Sequence, residues 1–214
     1  PQPPNGVEPP MTELMEFLKQ NATESLLSRE SLKEASNRFS ISPAEVERHS
    51  LQSELMPSRY QRNKKTISVA QQLQLFNSSV TVVGCGGLGG YIIEQLTRLG
   101  VGEIRMIDDD VFEDHNLNRQ LYASPQVLGK SKADIAAIRI RELNPAITVR
   151  THKVRLDQHN ADELLANSNV VADAVDNIDT RHALARSCNR LNIPLVHGAI
   201  AGWYGQVASQ FPGE

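Results

Sequence analysis

The chain has 214 residues, 22 Lys and Arg against 25 Asp and Glu, and a formal net charge of −3. That length suits one medium domain plus an appendage, and its scattered bases leave no electrostatic footprint for nucleic acid. No apolar run approaches the roughly 20 residues needed to cross a bilayer. Two isolated cysteines, Cys85 and Cys188, lack CxxC spacing and fit a reducing compartment rather than a disulfide framework. The reading is a cytoplasmic chain with no nucleic-acid and no membrane partner.

Residues 1–10, PQPPNGVEPP, are proline-rich, have no apolar signal core and read as disordered or tag-like. Residues 11–57 are polar and helix-prone, a small helical appendage. Thr12–Leu18 opens one helix, Ser31–Phe39 lies in a second, and Ser42-Pro43 starts a third with a serine N-cap and proline at the first helical position. The order could resemble a helix-turn-helix. Without a basic recognition face it reads as a docking or dimer-contact element.

From Val80 strands and helices alternate. Strands are expected at 80–83, 103–107, 147–154, 169–174 and 194–197, and helices at 88–99, 133–143, 161–165 and 179–191. Gly100 and the Asn144-Pro145 pair supply helix stops. This alternation predicts an α/β fold, a Rossmann-like, doubly wound and mainly parallel sheet over residues 58–214.

The segment VVGCGGLGG carries G-x-G-x-x-G at Gly84, Gly86 and Gly89, between a strand and a helix. The first glycine permits a tight turn, the second lets backbone approach phosphate, and the third lets helix and strand pack closely. The helix start adds free N–H groups that favour an anion. Asp108 follows at the end of the next strand, where a carboxylate can accept from ribose hydroxyls. To this point NAD and ATP are comparable. Beyond it, the polar stretch from Asp110 to Leu121 offers little for a nicotinamide slot. It places Asn116 and Arg119 three residues apart, on one face if helical, and Lys132 follows at a helix entrance. Cations of this kind stabilise charge in nucleotidyl transfer.

The ordered set Arg59-Tyr-Gln-Arg62-Asn, GCGGLGG, IDDD, Asn116-Leu-Asn-Arg119-Gln120, Gly129-Lys-Ser-Lys132 and Asp173-Ala-Val-Asp176-Asn177, followed by Pro194–Ala199 and Gly205-Gln-Val, resembles the ThiF/MoeB/HesA family. These are ubiquitin-activating-enzyme-like adenylyltransferases, and the likeness runs from Arg59 to the end. It implies ATP-dependent adenylylation of the C-terminal glycine of a small ubiquitin-like (MoaD/ThiS-like) sulfur-carrier protein ending in Gly-Gly, with release of pyrophosphate. The pathways implied are molybdenum or tungsten cofactor or thiamin biosynthesis. By the resemblance, Gly84, Gly86, Gly87 and Gly89 hold the nucleotide, Asp108 binds the ribose with Asp110 beside it, and Asn116, Arg119 and Lys132 meet the phosphates. Asp176, with Asn177 next to it, would hold Mg²⁺, and Arg62 would act from the partner subunit of a homodimer. The two CxxC pairs of many relatives lie beyond Gly205-Gln-Val, so structural zinc is not expected within this chain. Cys85 and Cys188 read as packing residues, and His115, His182 and His197 are not at metal-ligand spacing. Three alternatives stand beside this reading: an NAD-binding oxidoreductase or sensor domain, a non-catalytic carrier-docking relative, and a tRNA threonylcarbamoyladenosine dehydratase.

Overall fold

The computed structural model describes residues 11–213, so the reading of residues 1–10 falls outside it. The chain divides into two units, the first running to Phe76 and the second starting at Asn77.

In the first unit, α1 (Met11–Gln20), α2 (Arg29–Phe39) and α3 (Pro43–Gln52) form where the sequence places them. Ser28 caps α2 by accepting from the Ser31 amide at 3.0 Å. At α3, Ser42 accepts from the Glu45 amide (3.2 Å) while the Glu45 carboxylate accepts from the Ser42 amide (2.8 Å). This reciprocal cap satisfies two otherwise orphaned N–H groups. Leu14, Leu18, Leu27, Leu32, Phe39 and Val46 make the core, with Phe17 and Phe39 edge to face at 5.8 Å. Three two-residue strands, β1 (Ala22–Thr23), β2 (Leu26–Leu27) and β3 (Met56–Pro57), tie the helices together. A 3₁₀ turn over Ser58–Asn63 and α4 (Val69–Phe76) complete the unit.

Two features here were not read from the sequence. Helix α4 is announced by Ser68-Val-Ala-Gln71: the Ser68 hydroxyl accepts from the Gln71 amide and the Gln71 side chain from the Ser68 amide. The first unit also extends past residue 57. Its continuation is fixed by Glu47 of α3, a residue 1 % exposed, whose carboxylate pairs with Arg59 and accepts from the Tyr60 hydroxyl at 2.7 Å.

The second unit is a six-stranded sheet with helices. Its elements are β4 (Ser79–Val83), α5 (Gly87–Leu99), β5 (Glu103–Ile107), α6 (Lys132–Leu143), β6 (Thr148–His152), α7 (Ala161–Leu165), β7 (Val170–Asp173), α8 (Ile178–Leu191), β8 (Leu195–Ala201) and β9 (Tyr204–Gln210). The strand order is β6-β5-β4-β7-β8-β9, parallel except for β9, which pairs antiparallel with β8. All five residues of β4 are buried, as a central strand covered on both faces must be. Helices α5 and α6 pack together, as do α7 and α8. Val83, Ile107, Leu165, Val171, Leu184 and Cys188 belong to one apolar cluster.

The expected fold is present, and the differences lie at the sheet edge and at element ends. Strand β8 continues beyond His197 to Ala201 and turns back through Gly202-Trp203 into β9. Gly202 has φ +59°, the conformation that a two-residue hairpin turn requires. The glycine-plus-one pair was the available signal, but the small residues before it hide the alternation of a strand. Among the described residues, no helix is long and apolar enough to cross a membrane.

Hydrogen bonding to Ser42 is the largest cause holding the Glu45 carboxyl below its ordinary value. A depressed carboxyl contributes stability that is present above its unfolded value and lost as pH falls through the folded one. We therefore predict that Ser42→Ala costs about 1 kcal/mol at neutral pH, less in acid; a cost that is the same at pH 3 and pH 7 in chemical denaturation would contradict this. Burial pushes the Cys188 thiol up to about 11 and the Cys85 thiol well above its ordinary value. Both thiols should ignore a disulfide reagent at pH 8 until denaturant is added, since thiolate is the reactive form; prompt modification of the folded protein would be the contrary result.

Candidate active site

The chain leaves β4 at Gly84 with φ +91°, a conformation that side chains other than glycine rarely adopt. A Cβ there would come within 2.7 Å of the Ala174 carbonyl oxygen. At Gly89 a Cβ would collide with the carbonyl oxygen of Gly84 itself. Both glycines are thus required by close approach. Gly86 and Gly87 are open instead toward the segment Arg119–Tyr122. A Cβ on Gly86 would lie 3.3 Å from Gln120 Nε2, and one on Gly87 3.9 Å from Arg119 Cγ. The first turn of α5, with its unpaired N–H groups, is therefore lined by Arg119 and Gln120.

Asp108, one residue beyond β5, anchors this turn. Its Oδ2 accepts from the Cys85 amide at 2.6 Å and its Oδ1 from the Asp110 amide at 2.8 Å. Burial pushes its carboxyl above the ordinary value, against the pull of both amides and of Lys132. Strand β4 lies between the parallel β5 and β7, and the chain leaves β4 toward β5 but leaves β7 toward β8, so the two connections diverge at the carboxyl ends of β4 and β7. Such a switch point leaves a crevice for a ligand.

Lys132 begins α6, capped by Ser131, and is 6 % exposed. Its Nζ is 2.8 Å from Asp110 Oδ2, and its amide donates to the Asp110 carbonyl. Asp110 is itself largely exposed, so the pair has one buried and one solvated partner. With Asp109, Glu113, His115 and Asn116 these two residues line an open cleft of about 240 Å³.

Asn116 and Arg119 do not share a helical face, as three-residue spacing suggested. The 3₁₀ turn Asp114–Asn116 ends at Asn116, which is 2 % exposed and accepts from the Glu113 amide at 2.9 Å. Arg119 is exposed and donates to the His115 carbonyl (2.8 Å) and to Asn118 Oδ1 (3.0 Å). Asn116 is committed to the loop, while Arg119 is held only by acceptors at the surface.

Asp176 lies on the loop between β7 and α8, exposed and with no hydrogen-bond partner among the described residues. Asn177 caps α8, accepting from the Thr180 amide at 2.9 Å. An exposed, uncommitted carboxylate suits a hard cation that keeps its water. Asp108, Asp109 and Asp110 also bring carboxylate oxygens within 4.8 Å of one another, but Asp108 and Asp110 are already engaged. Arg62 stands on the 3₁₀ turn of the first unit, exposed, and is not among the residues that the second unit gathers.

Three residues at this end of the sheet, Gln120, Asp173 and Arg181, were not singled out individually from the sequence, and His197 was read only as a histidine away from metal-ligand spacing. Gln120 is buried beside Gly86, and its Oε1 has no partner among the described residues. Asp173, Arg181 and His197 form a polar cluster at the ends of β7 and β8. Spacing gave no signal for the cluster, because its members come from separate elements.

Known proteins share this arrangement. The ThiF family profile matches residues 60–214. The SAMP-activating enzyme E1 of Haloferax volcanii is 45% identical over 141 residues, which is 66% of this chain and 52% of that protein. The sulfur carrier protein adenylyltransferase of Thermus thermophilus is 40% identical over 137 residues, 64% of this chain and 51% of that protein. Among solved structures, E. coli tRNA N6-threonylcarbamoyladenosine dehydratase, TcdA, in complex with ATP superposes with a TM-score of 0.66 at 31% identity. That alignment covers 69% of this chain and 61% of the other. The chain spans about half the length of these two curated relatives. The glycine turn, the strand order and the family match together place this chain in the ThiF family.

Proposed function

We propose that this protein adenylates the C-terminal glycine of a small ubiquitin-like sulfur-carrier protein, using ATP and releasing pyrophosphate, as a cytoplasmic homodimer. The supporting observations are the buried Lys132, ion-paired to Asp110 and near enough to Asp108 and Cys85 to act on both, and Arg119 beside Gly87 in the first turn of α5. Two cations and a helix N-terminus beside the glycine turn fit a polyphosphate, and two of the proteins this chain resembles are named for activating such carriers. Molybdenum or tungsten cofactor and thiamin synthesis are the pathways this reading serves.

The chemistry needs no nucleophile from the enzyme. The carrier's carboxylate is ionised at neutral pH and its oxygen attacks the α-phosphorus of ATP. The bond to the bridging oxygen breaks, and pyrophosphate leaves with that electron pair. Bringing two anions together is the main obstacle, so positioning and cationic screening carry the catalysis. On binding, the triphosphate replaces Asp110 as the partner of Lys132. The Arg119 guanidinium swings from the His115 carbonyl to the phosphates, while Asn116 keeps the loop in shape. Asp108 holds the glycine turn and presents its remaining lone pairs to the ribose, beside Gly84, Gly86, Gly87 and Gly89. Bound Mg²⁺ would screen the phosphates, held near Asp176 and Asn177. Arg62 of a second copy completes the screening.

A second reading rests on the likeness to the tRNA dehydratase structure. It would use the same nucleotide crevice on a modified tRNA instead of a carrier.

Isotopic ATP–pyrophosphate exchange should require a carrier ending in Gly-Gly. Arg119→Ala and Lys132→Ala should each lower kcat about 100-fold or more, with carrier affinity changed only a few-fold. Exchange that survives both substitutions would remove these residues from the reaction. ATP consumption stimulated by threonylcarbamoyladenosine-bearing tRNA, and not by a carrier, would favour the second reading.

A further inference from the structure

Three side chains that the scheme above does not use cluster beside one residue, Val175. Asp173 ends β7, is 1 % exposed, and lies in register with His197 of the parallel β8. Its Oδ2 is 2.7 Å from His197 Nδ1, and its Oδ1 accepts from the Val175 amide at 3.0 Å. Arg181, in the first turns of α8, reaches back over the same point. Its Nη1 lies against the imidazole, 2.8 Å from His197 Nδ1 and 2.7 Å from Nε2, and is 3.9 Å from Asp173 Oδ2. Its Nη2 donates to the Val175 carbonyl and, at 3.3 Å, to the Gly198 carbonyl.

The N–H and the C=O of Val175 are therefore both held by side chains. His197 Nδ1 faces Asp173 Oδ2 while the Arg181 guanidinium lies against the same ring, so the three side chains restrain one another. The strand ladder has ended at Asp173, and α8 begins only at Ile178. The segment between carries Asp176 and is bonded at its two ends, by the Ala174 amide to the Val83 carbonyl (2.9 Å) and by the Arg181 amide to the Asn177 carbonyl (3.4 Å), but Val175 and Asp176 make no backbone–backbone bond among the described residues. Its first residue, Ala174, is also the one against which Gly84 packs.

We propose that Arg181, backed by Asp173 and His197, is a positioning residue that fixes Val175 and so sets where Asp176 presents its carboxylate to Mg²⁺–ATP. This rests on the assignment of Asp176 to the metal made above. A buried carboxylate oriented toward both a histidine and a guanidinium is costly to assemble and is weak evidence for stability alone. Its service here is directional: Asp176 has no bond of its own among the described residues, and its backbone is held through the preceding residue.

The test measures affinity for a fluorescent ATP analogue with Mg²⁺ and with a chelator present, on the intact protein. In the wild type Mg²⁺ strengthens binding. Arg181→Ala should lose about ten-fold of the Mg²⁺-dependent affinity while affinity in chelator stays within two-fold, and Asp176→Asn should do the same. The double variant should be no weaker than either single one, because Arg181 acts through Asp176. Arg181→Lys and His197→Asn, milder changes, serve if Arg181→Ala does not fold, and should show the same Mg²⁺-selective loss in smaller measure. Faster amide hydrogen exchange at Val175–Asn177 in the Arg181 variants is the accompanying expectation. Losses that are equal with and without Mg²⁺, or that add in the double variant, overturn the proposal and leave the assignment of Asp176 standing. An Asp176→Asn protein with undiminished Mg²⁺ dependence overturns both.

Discussion

At Gly84 the chain leaves β4 with a positive φ, passes close under the Ala174 carbonyl and turns back so tightly that its own carbonyl fills the place of a side chain at Gly89. Everything else at the crevice is arranged around that approach. The Asp108 carboxylate holds the turn from one side through the Cys85 amide, and the loop after β7 closes it from the other. Because two glycines are consumed by packing, Gly86 and Gly87 keep the first turn of α5 open, and Arg119 and Gln120 lie along it. A phosphate group can then meet backbone N–H groups and a cation at one place.

Charge at this site is held in reserve. Lys132 is almost wholly buried, which would be costly for an unpaired ammonium, and Asp110 offsets that cost from the solvent side. The partner is exposed and therefore replaceable, so an anionic ligand can take its position without leaving a charge stranded. Arg119 is parked on a carbonyl and an amide oxygen at the surface, where moving it costs little. Asp176 has no partner at all among the described residues. The residues that would meet the phosphates and cation keep exchangeable partners, or none among the described residues, while Asp108 and Asn116 are committed to the backbone amides of the turn and the loop.

The first unit follows the same division. Arg59 and Tyr60 are locked by the buried carboxylate of Glu47, while Arg62, three residues beyond Arg59 on the same 3₁₀ turn, is exposed. Helix α3 thus gives the helical appendage a physical role, as the platform for a turn that belongs to the family motif.

The sequence by itself determined the parallel α/β order, since apolar runs alternate with helical spacing, and it determined the glycine turn, since the motif sits between a strand and a helix. Helix ends at Ser42, Gly100 and Asn144 were legible because caps are local chemistry. Helix α4 was equally legible through its Ser68–Gln71 cap and was passed over. Other features were decided only in three dimensions. Spacing put Asn116 and Arg119 on one face, but a 3₁₀ turn ends between them and sends one inward and one to solvent. The pairing of Lys132 with Asp110 spans 22 residues, and that of Asp173 with His197 spans 24. Such contacts arise from strand register and loop closure, which place residues together without leaving a periodic mark in the chain. Local pattern therefore fixed which elements form and where the glycine turn lies. Tertiary packing alone decided which side chains are free to act and which are spent holding them.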